Sequence, residues 1–442
     1  MAAPVGPTAA PQRLRPLPRW PLLALYLGFP LWWVLGLGAL IWPLLTLTML
    51  LALAVRGHVR VPRGFGLWFG FLVWMLGSGL QLDSGARVIG WSYRAALYLS
   101  ATVVFLYVYN APRERLPART LTLALTAFWA FVVVGGYLGL LFPHTSFATP
   151  VERLMPGGLL ANSFVHALVH PSFAQTAAAN LGVAPRPQAP FTYTNEWGGN
   201  FALLVPMVFA ALSQVRSAAG RLLVILLLPV GFVPAALSLN RGLFLSLGAG
   251  LVYAALRFAV RGRVKALIGV TVVVAVAGAV LAVLPVKQLL SERIANSATN
   301  QTRAALYGEA IHRAEASPLL GYGAPRPSED NAGAPSAGTQ GQLWMVLFSH
   351  GFPGAALFVG WYLWAVWRTR KALTPPWFWA HVTVLIAAVQ LPYYGMLPGQ
   401  LHTVMLATAM ALREQEALAA RPPGRTARPG GRAATTVGAR PA

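Results

Sequence analysis

The chain of 442 residues contains no cysteine, which excludes disulfide staples and thiolate metal sites. Acidic residues are also scarce, 11 against 34 lysines and arginines. None of them falls at mid-depth in any long apolar run. A proton- or sodium-coupled transporter ordinarily places a carboxylate there, so coupled transport is disfavoured. There is no Walker-type phosphate loop, no G-x-S-x-G and no H-E-x-x-H, and the functions those motifs serve lose their usual signature. The only adjacent acid pair, Glu329-Asp330, sits in a Pro/Gly-rich stretch unlike the metal-binding acidic motif of nucleotide-sugar transferases. No metal and no cofactor are expected.

What is present is hydrophobic. Of the residues, 56% are apolar and 10% charged, and the apolar ones fall in blocks of roughly twenty separated by short basic stretches, the pattern of membrane-spanning helices. Closed barrels would show about ten-residue alternation of apolar and polar positions, which is absent. The expected fold class is therefore an all-α integral membrane protein, with the lipid bilayer as its surroundings. The net charge of +23 punctuates the apolar blocks and does not cluster with aromatics on a soluble domain, so no nucleic-acid partner is expected.

Twelve spans are expected, at about 20–37, 38–55, 65–82, 91–110, 120–142, 199–215, 222–239, 242–260, 266–285, 342–367, 376–394 and 397–413. The first follows Arg13, Arg15 and Arg19 like a signal sequence, but no small-residue cleavage site follows, so it reads as a retained span. Most arginines and lysines lie on one side of this arrangement. Most acids (Asp83, Glu152, Glu196, Glu292, Glu309, Glu315, Glu329, Asp330) lie on the other. The positive-inside rule then puts both termini in the cytoplasm. Residues 1–19 form a cytoplasmic segment and 20–419 the membrane domain. The Pro/Gly/Arg-rich stretch 420–442 is expected to be a disordered tail attracted to anionic lipid.

Two extracytoplasmic segments, 143–198 and 286–341, are too long to be simple connections and are where function is expected. The second holds TRAALYGEAIHRAEASPLLGYG (302–323), which reads as a helix stopped by Pro318 and Gly321. Arg303 and Tyr307 share one face of it, with His312 and Arg313 further along. The first ends in FTYTNEWGG (191–199), where Thr194, Asn195 and Glu196 precede paired glycines and a new span. Asn, Glu and Trp beside a membrane are residue types that bind sugars, though the same stretch also serves as a turn and helix start. Arg241, between Asn240 and Gly242, sits where two spans meet on the outer side. It is either a loop arginine reaching headgroups or an anion site assisted by the next helix's N-terminus.

FTYTNEWGG before a span, SLNRG (238–242) between two spans, and a large loop with TRAALYGEAIHRAEASPLLGYGAP leading to GTQGQLWMVLFSHGFPG (338–354) together resemble the O-antigen ligase and polymerase superfamily of bacterial membrane proteins. The resemblance covers roughly residues 190–360. It implies a GT-C-like membrane glycosyltransferase of the cell envelope. Such an enzyme takes a glycan from a polyprenyl diphosphate carrier such as undecaprenyl diphosphate and passes it to an acceptor hydroxyl on a glycan or glycolipid, metal-independently and with inversion, at the extracytoplasmic face of the inner membrane. By motif, Arg241 and Arg303 are implied to hold the lipid diphosphate. Thr194, Asn195, Glu196, Tyr307, Arg313 and Asn240 are expected to line the substrate side. Family ligases carry a His-Asn pair where this chain has Gln340-Gly341, and glutamine orients a hydroxyl without taking its proton. A base is then to be sought at His312, Glu309 or Glu196, or is not required. The alternative from another class is a transporter or flippase of a lipid-linked substrate, for which no internal repeat speaks.

Overall fold

The computed structural model describes residues 15–176, 184–284, 291, 299–329, 335–372 and 374–419. The expected disordered tail, most of the N-terminal segment, Glu292 and Asp330 lie outside them. Every long described element is a helix. Six helices among the described residues are long and apolar enough to cross a membrane, in keeping with a multi-pass membrane protein. These are α5 (Gly85–Asn110), α6 (Ala118–Leu141), α11 (Ala218–Leu237), α12 (Arg241–Ala259), α13 (Val264–Val283) and α15 (Gln342–Thr369). Shorter apolar helices are α3 (Ile41–Arg56), α4 (Phe65–Ser78) and α16 (Trp377–Gln390).

The first apolar run, 20–55, which Pro30, Gly36 and Gly38 lead one to expect as a hairpin or something less regular, is indeed interrupted within the span placed at about 20–37. That span is two short helices, α1 (Trp20–Leu27) and α2 (Phe29–Leu35), meeting at Gly28. Pro30 supplies no N–H to continue the ladder, and Trp32 Nε1 donates to Ala24 O at 2.8 Å, folding the ring across the junction. A Cβ at Gly28 would lie 2.6 Å from that same carbonyl, so only glycine allows the break to close this tightly.

The most apolar helix is not the most buried one. α13 buries only Val270, and its valine and alanine faces are left for lipid. The centre belongs to α10 (Thr194–Leu212), buried without interruption from Trp197 to Ala211, and to α17 (Gly399–Ala419), buried from Gly399 to Arg413. Side-chain hydrogen bonds, which lipid could not replace, tie the helices of this centre together. Thr383 Oγ1 donates to Leu203 O at 3.1 Å, Gln390 Nε2 to Ser246 Oγ at 3.1 Å, and the His402 ring meets Ser100 Oγ at 2.7 Å. At one end of the bundle Arg413, 6% exposed, donates to Val108 O, Ala111 O and Leu116 O, which satisfies carbonyls at the end of α5.

The large connections gather at the other end. After α6 come α7 (Pro150–Leu154), α8 (Gly157–Leu160), α9 (Ser163–Val169) and a two-stranded ribbon, β1 (Ala174–Gln175) antiparallel to β2 (Arg186–Pro187). The helix expected in the second large segment is α14 (Thr299–Ala316). It buries Leu306, Ala310 and Ala314, spaced by four, against α15. The PLLGYG stretch that follows locks into a break in α15. Gly351 there leaves helical geometry at φ 67°, ψ −174°, and the freed backbone is used by the loop. Tyr322 N donates to Phe348 O (3.0 Å), Gly323 N to Ser349 O (2.8 Å) and Phe352 N to Pro318 O (2.9 Å). Trp74 Nε1 donates to Leu319 O (2.9 Å) and His350 O (3.1 Å), tying the loop to α4.

Candidate functional site

The turn between α11 and α12 is strained. Leu239, buried and β-carbon-bearing, has φ 51° and is the only non-glycine described residue with positive φ, a conformation that persists only where the surroundings impose it. The next residue explains it. Asn240 is buried, its Oδ1 accepts from the Tyr394 hydroxyl, and its Nδ2 donates to Thr194 O at 3.2 Å. Arg241 then opens α12 as its first, exposed residue, beside N–H groups that have no helical partner. Gly242 is required because a Cβ would lie 2.8 Å from the Tyr394 hydroxyl and 2.9 Å from the Tyr393 ring.

The paired glycines of TNEWGG have the same cause. A Cβ at Gly198 would lie 2.3 Å from Asn240 Nδ2, and one at Gly199 would lie 2.4 Å from Gln400 Oε1. Residues 194 and 198, one helical turn apart, therefore form the wall on which the Asn240 side chain rests.

Arg303 reaches the same place from α14. Burial holds the Tyr307 phenol above its usual range, opposed by the charge of Arg303 and a side-chain hydrogen bond from it. The Tyr307 ring stacks on Trp344 at 4.8 Å, and Trp344 Nε1 donates to Pro392 O at 2.7 Å. Two residues further on is Tyr394. The Arg303 and Arg186 guanidinium groups lie close enough for their charges to act on its phenol. Gln340, half-buried, precedes Gly341, where a Cβ would lie 2.5 Å from Pro392 O. Gln342 N donates to Tyr394 O at 2.7 Å. Segments far apart in sequence (Arg186, Asn240-Arg241, Arg303-Tyr307 and Gln340) thus converge on the loop between α16 and α17.

Other expected site residues are placed elsewhere. Thr194 is fully buried, with its hydroxyl donating to Arg186 O at 3.4 Å and its carbonyl accepting from Asn240. Glu196 lies two residues from Thr194, about 200° around the helix, and so points away from Asn240. It faces a cavity of about 230 Å³ lined also by Trp33, His166, His170, Phe191 and Pro398. Glu196 precedes the stretch 199–215 expected to span. Burial raises its carboxyl to about 8, against hydrogen bonds from the Thr192 and Tyr193 backbone. Asn195 beside it is half-buried. Glu309 is saturated: it accepts from Arg313 (3.0 Å), Ser328 Oγ (2.6 Å) and Glu329 N (3.0 Å). Burial alone would lift its carboxyl, but those bonds and the Arg313 charge hold it below the usual range. Arg313 is committed too, bonded to Pro327 O and paired with Glu329 at 3.1 Å. His312 is 87% exposed and meets only Glu315, at 3.7 Å, among the described acids. Of the three base candidates, two lie on α14 faces turned from Arg303 and Tyr307, and the third is turned from Asn240.

The residues missed by sequence reasoning are Arg186, Tyr393 and Tyr394. The last two stand in LPYYGMLPG, whose Pro/Gly framing of adjacent tyrosines was the available signal.

Residues 222–359 match the family model described as O-antigen ligase. That range runs from α11 through the strained turn, α14 and the break in α15. None of the curated proteins compared matches the chain.

Proposed function

We propose, from the match of residues 222–359 to the O-antigen ligase family model, that this membrane protein moves a glycan from a polyprenyl diphosphate carrier to an acceptor hydroxyl, as a ligase or polymerase. The transfer takes place at the extracytoplasmic face of the inner membrane. Arg241 and Arg303 hold the diphosphate, with Arg186 as a third cation. Gln340, Tyr307 and Asn195 lie on the glycan or acceptor side. The hydroxyl oxygen attacks the anomeric carbon opposite the diphosphate, and the bond from that carbon to the diphosphate oxygen breaks as the new one forms. The configuration inverts, and the hydroxyl proton leaves to solvent or to the departing diphosphate.

The observation that carries this reading is the convergence of Arg303 and the Asn240-Arg241 turn on Tyr394. A leaving diphosphate gains negative charge as its bond breaks, and preorganised guanidinium groups lower that barrier. With Glu309 saturated and His312 turned to solvent, no strong base stands beside the arginines among the named candidates. A good leaving group makes one unnecessary. Binding of polyprenyl diphosphate and polyprenyl monophosphate to the purified protein tests the assignment. The diphosphate is expected to bind at least tenfold more tightly, with the gap closing in Arg303→Ala. Equal binding of both lipids by the wild type refutes the diphosphate site.

A further inference from the structure

A second constellation stands in the first large segment, apart from the arginines. His166 and His170 lie one turn apart at the end of α9, with rings stacked at 4.8 Å and 17°, and Glu152 of α7 reaches toward both. Its carboxylate oxygens are 2.9 and 3.1 Å from His170 Nδ1, and Oε1 is 3.4 Å from His166 Nε2. One donor atom from each residue falls within 4.8 Å of the others. Donors around a tetrahedral zinc ion at about 2.0–2.1 Å stand roughly 3.3 Å apart, so the separations bracket that value.

The support is in place as well. His170 Nε2 meets Ser146 Oγ at 3.1 Å, which leaves Nδ1 as the ligating nitrogen. Glu152 is oriented by a capping box, its Oε2 accepting from Thr149 N at 3.2 Å, while Asn162 Oδ1 caps α9 through Phe164 N at 3.0 Å. Two imidazole nitrogens facing one carboxylate need either protons or a cation between them. Imidazole donors favour zinc over magnesium or calcium.

We infer that Glu152, His166 and His170 form a zinc site that joins α7 to α9, with its fourth position open. His166 and His170 also line the cavity that Glu196 faces, so the open position adjoins that space. The site is independent of the diphosphate reading, and no transfer step is routed through it.

The test is calorimetric titration of Zn²⁺ into the full-length, detergent-purified protein, stripped with chelator and free of any polyhistidine tag. One equivalent is expected to bind, with affinity reduced at least tenfold in His166→Gln and in His170→Gln and unchanged in His144→Ala. Zinc should raise the thermal midpoint of the wild type and not of these two variants. If either histidine variant fails to fold, Glu152→Gln, which keeps the side-chain size, gives the same readout. Absence of saturable binding to the wild type, or binding equal in wild type and cluster variants, overturns the site.

Discussion

Arg241→Ala and Arg303→Ala each lower glycan transfer about 10²–10³-fold, the range seen when one preorganised stabiliser of developing negative charge is removed. Both side chains stand at the surface end of the fold, Arg241 exposed and Arg303 half-buried, so the loss appears in the rate and not in the thermal midpoint. Lysine restores part of the activity at either position. It returns the charge but not the bidentate geometry that a guanidinium offers a phosphate. The double variant costs less than the product of the single losses if both arginines hold one diphosphate, since groups acting as a unit are non-additive. Fully multiplicative losses, measured as initial rates with a single donor, point instead to two separate anion sites.

Gly351→Ala has the other large effect, and it acts on stability. A Cβ at this position would lie 2.4 Å from Leu319 O and 2.5 Å from Pro318 O, at φ 67° where side chains are strained. The neighbours are backbone atoms of the loop, so relief requires the loop to leave its seat. The cost is about 3 kcal/mol, a sizeable part of a typical folding free energy of about 5–15 kcal/mol. Trypsin should then cut after Arg313 much faster than in the wild type, because the Tyr322 and Gly323 hydrogen bonds to α15 are lost. Gly308→Ala is the control of opposite sign. That helical glycine has open space around it, and alanine there stabilises α14 by about 0.5–1 kcal/mol. Equal protease resistance in Gly351→Ala and wild type contradicts the docking role.

The parts of this architecture visible in the sequence are those set by local pattern. Apolar runs marked the membrane helices. The Asn240-Arg241-Gly242 turn stood out because a cation interrupts two such runs, and Pro318 and Gly321 marked where α14 stops. In the first run Pro30 signalled an interruption, while the junction at Gly28 was set by the Trp32 ring folding across it and so was not legible locally. Glu309 and Arg313 looked available because nothing local reveals that Ser328 and Glu329 fold back onto them. Tyr394 was hidden for a related reason: its partners Asn240 and Gln342 lie 154 and about fifty residues away, and an ordinary-looking loop shows its role only after the chain has closed. The Glu152, His166 and His170 cluster escaped because its members come from separate short helices.

The most direct measurement incubates the purified wild-type protein with a polyprenyl diphosphate-linked glycan and candidate acceptors, and follows both the glycan and the carrier. The expected result is a glycan joined to an acceptor hydroxyl with one free polyprenyl diphosphate released per transfer. Movement of intact donor across the bilayer of reconstituted vesicles, with no glycan transferred to any acceptor, would contradict it.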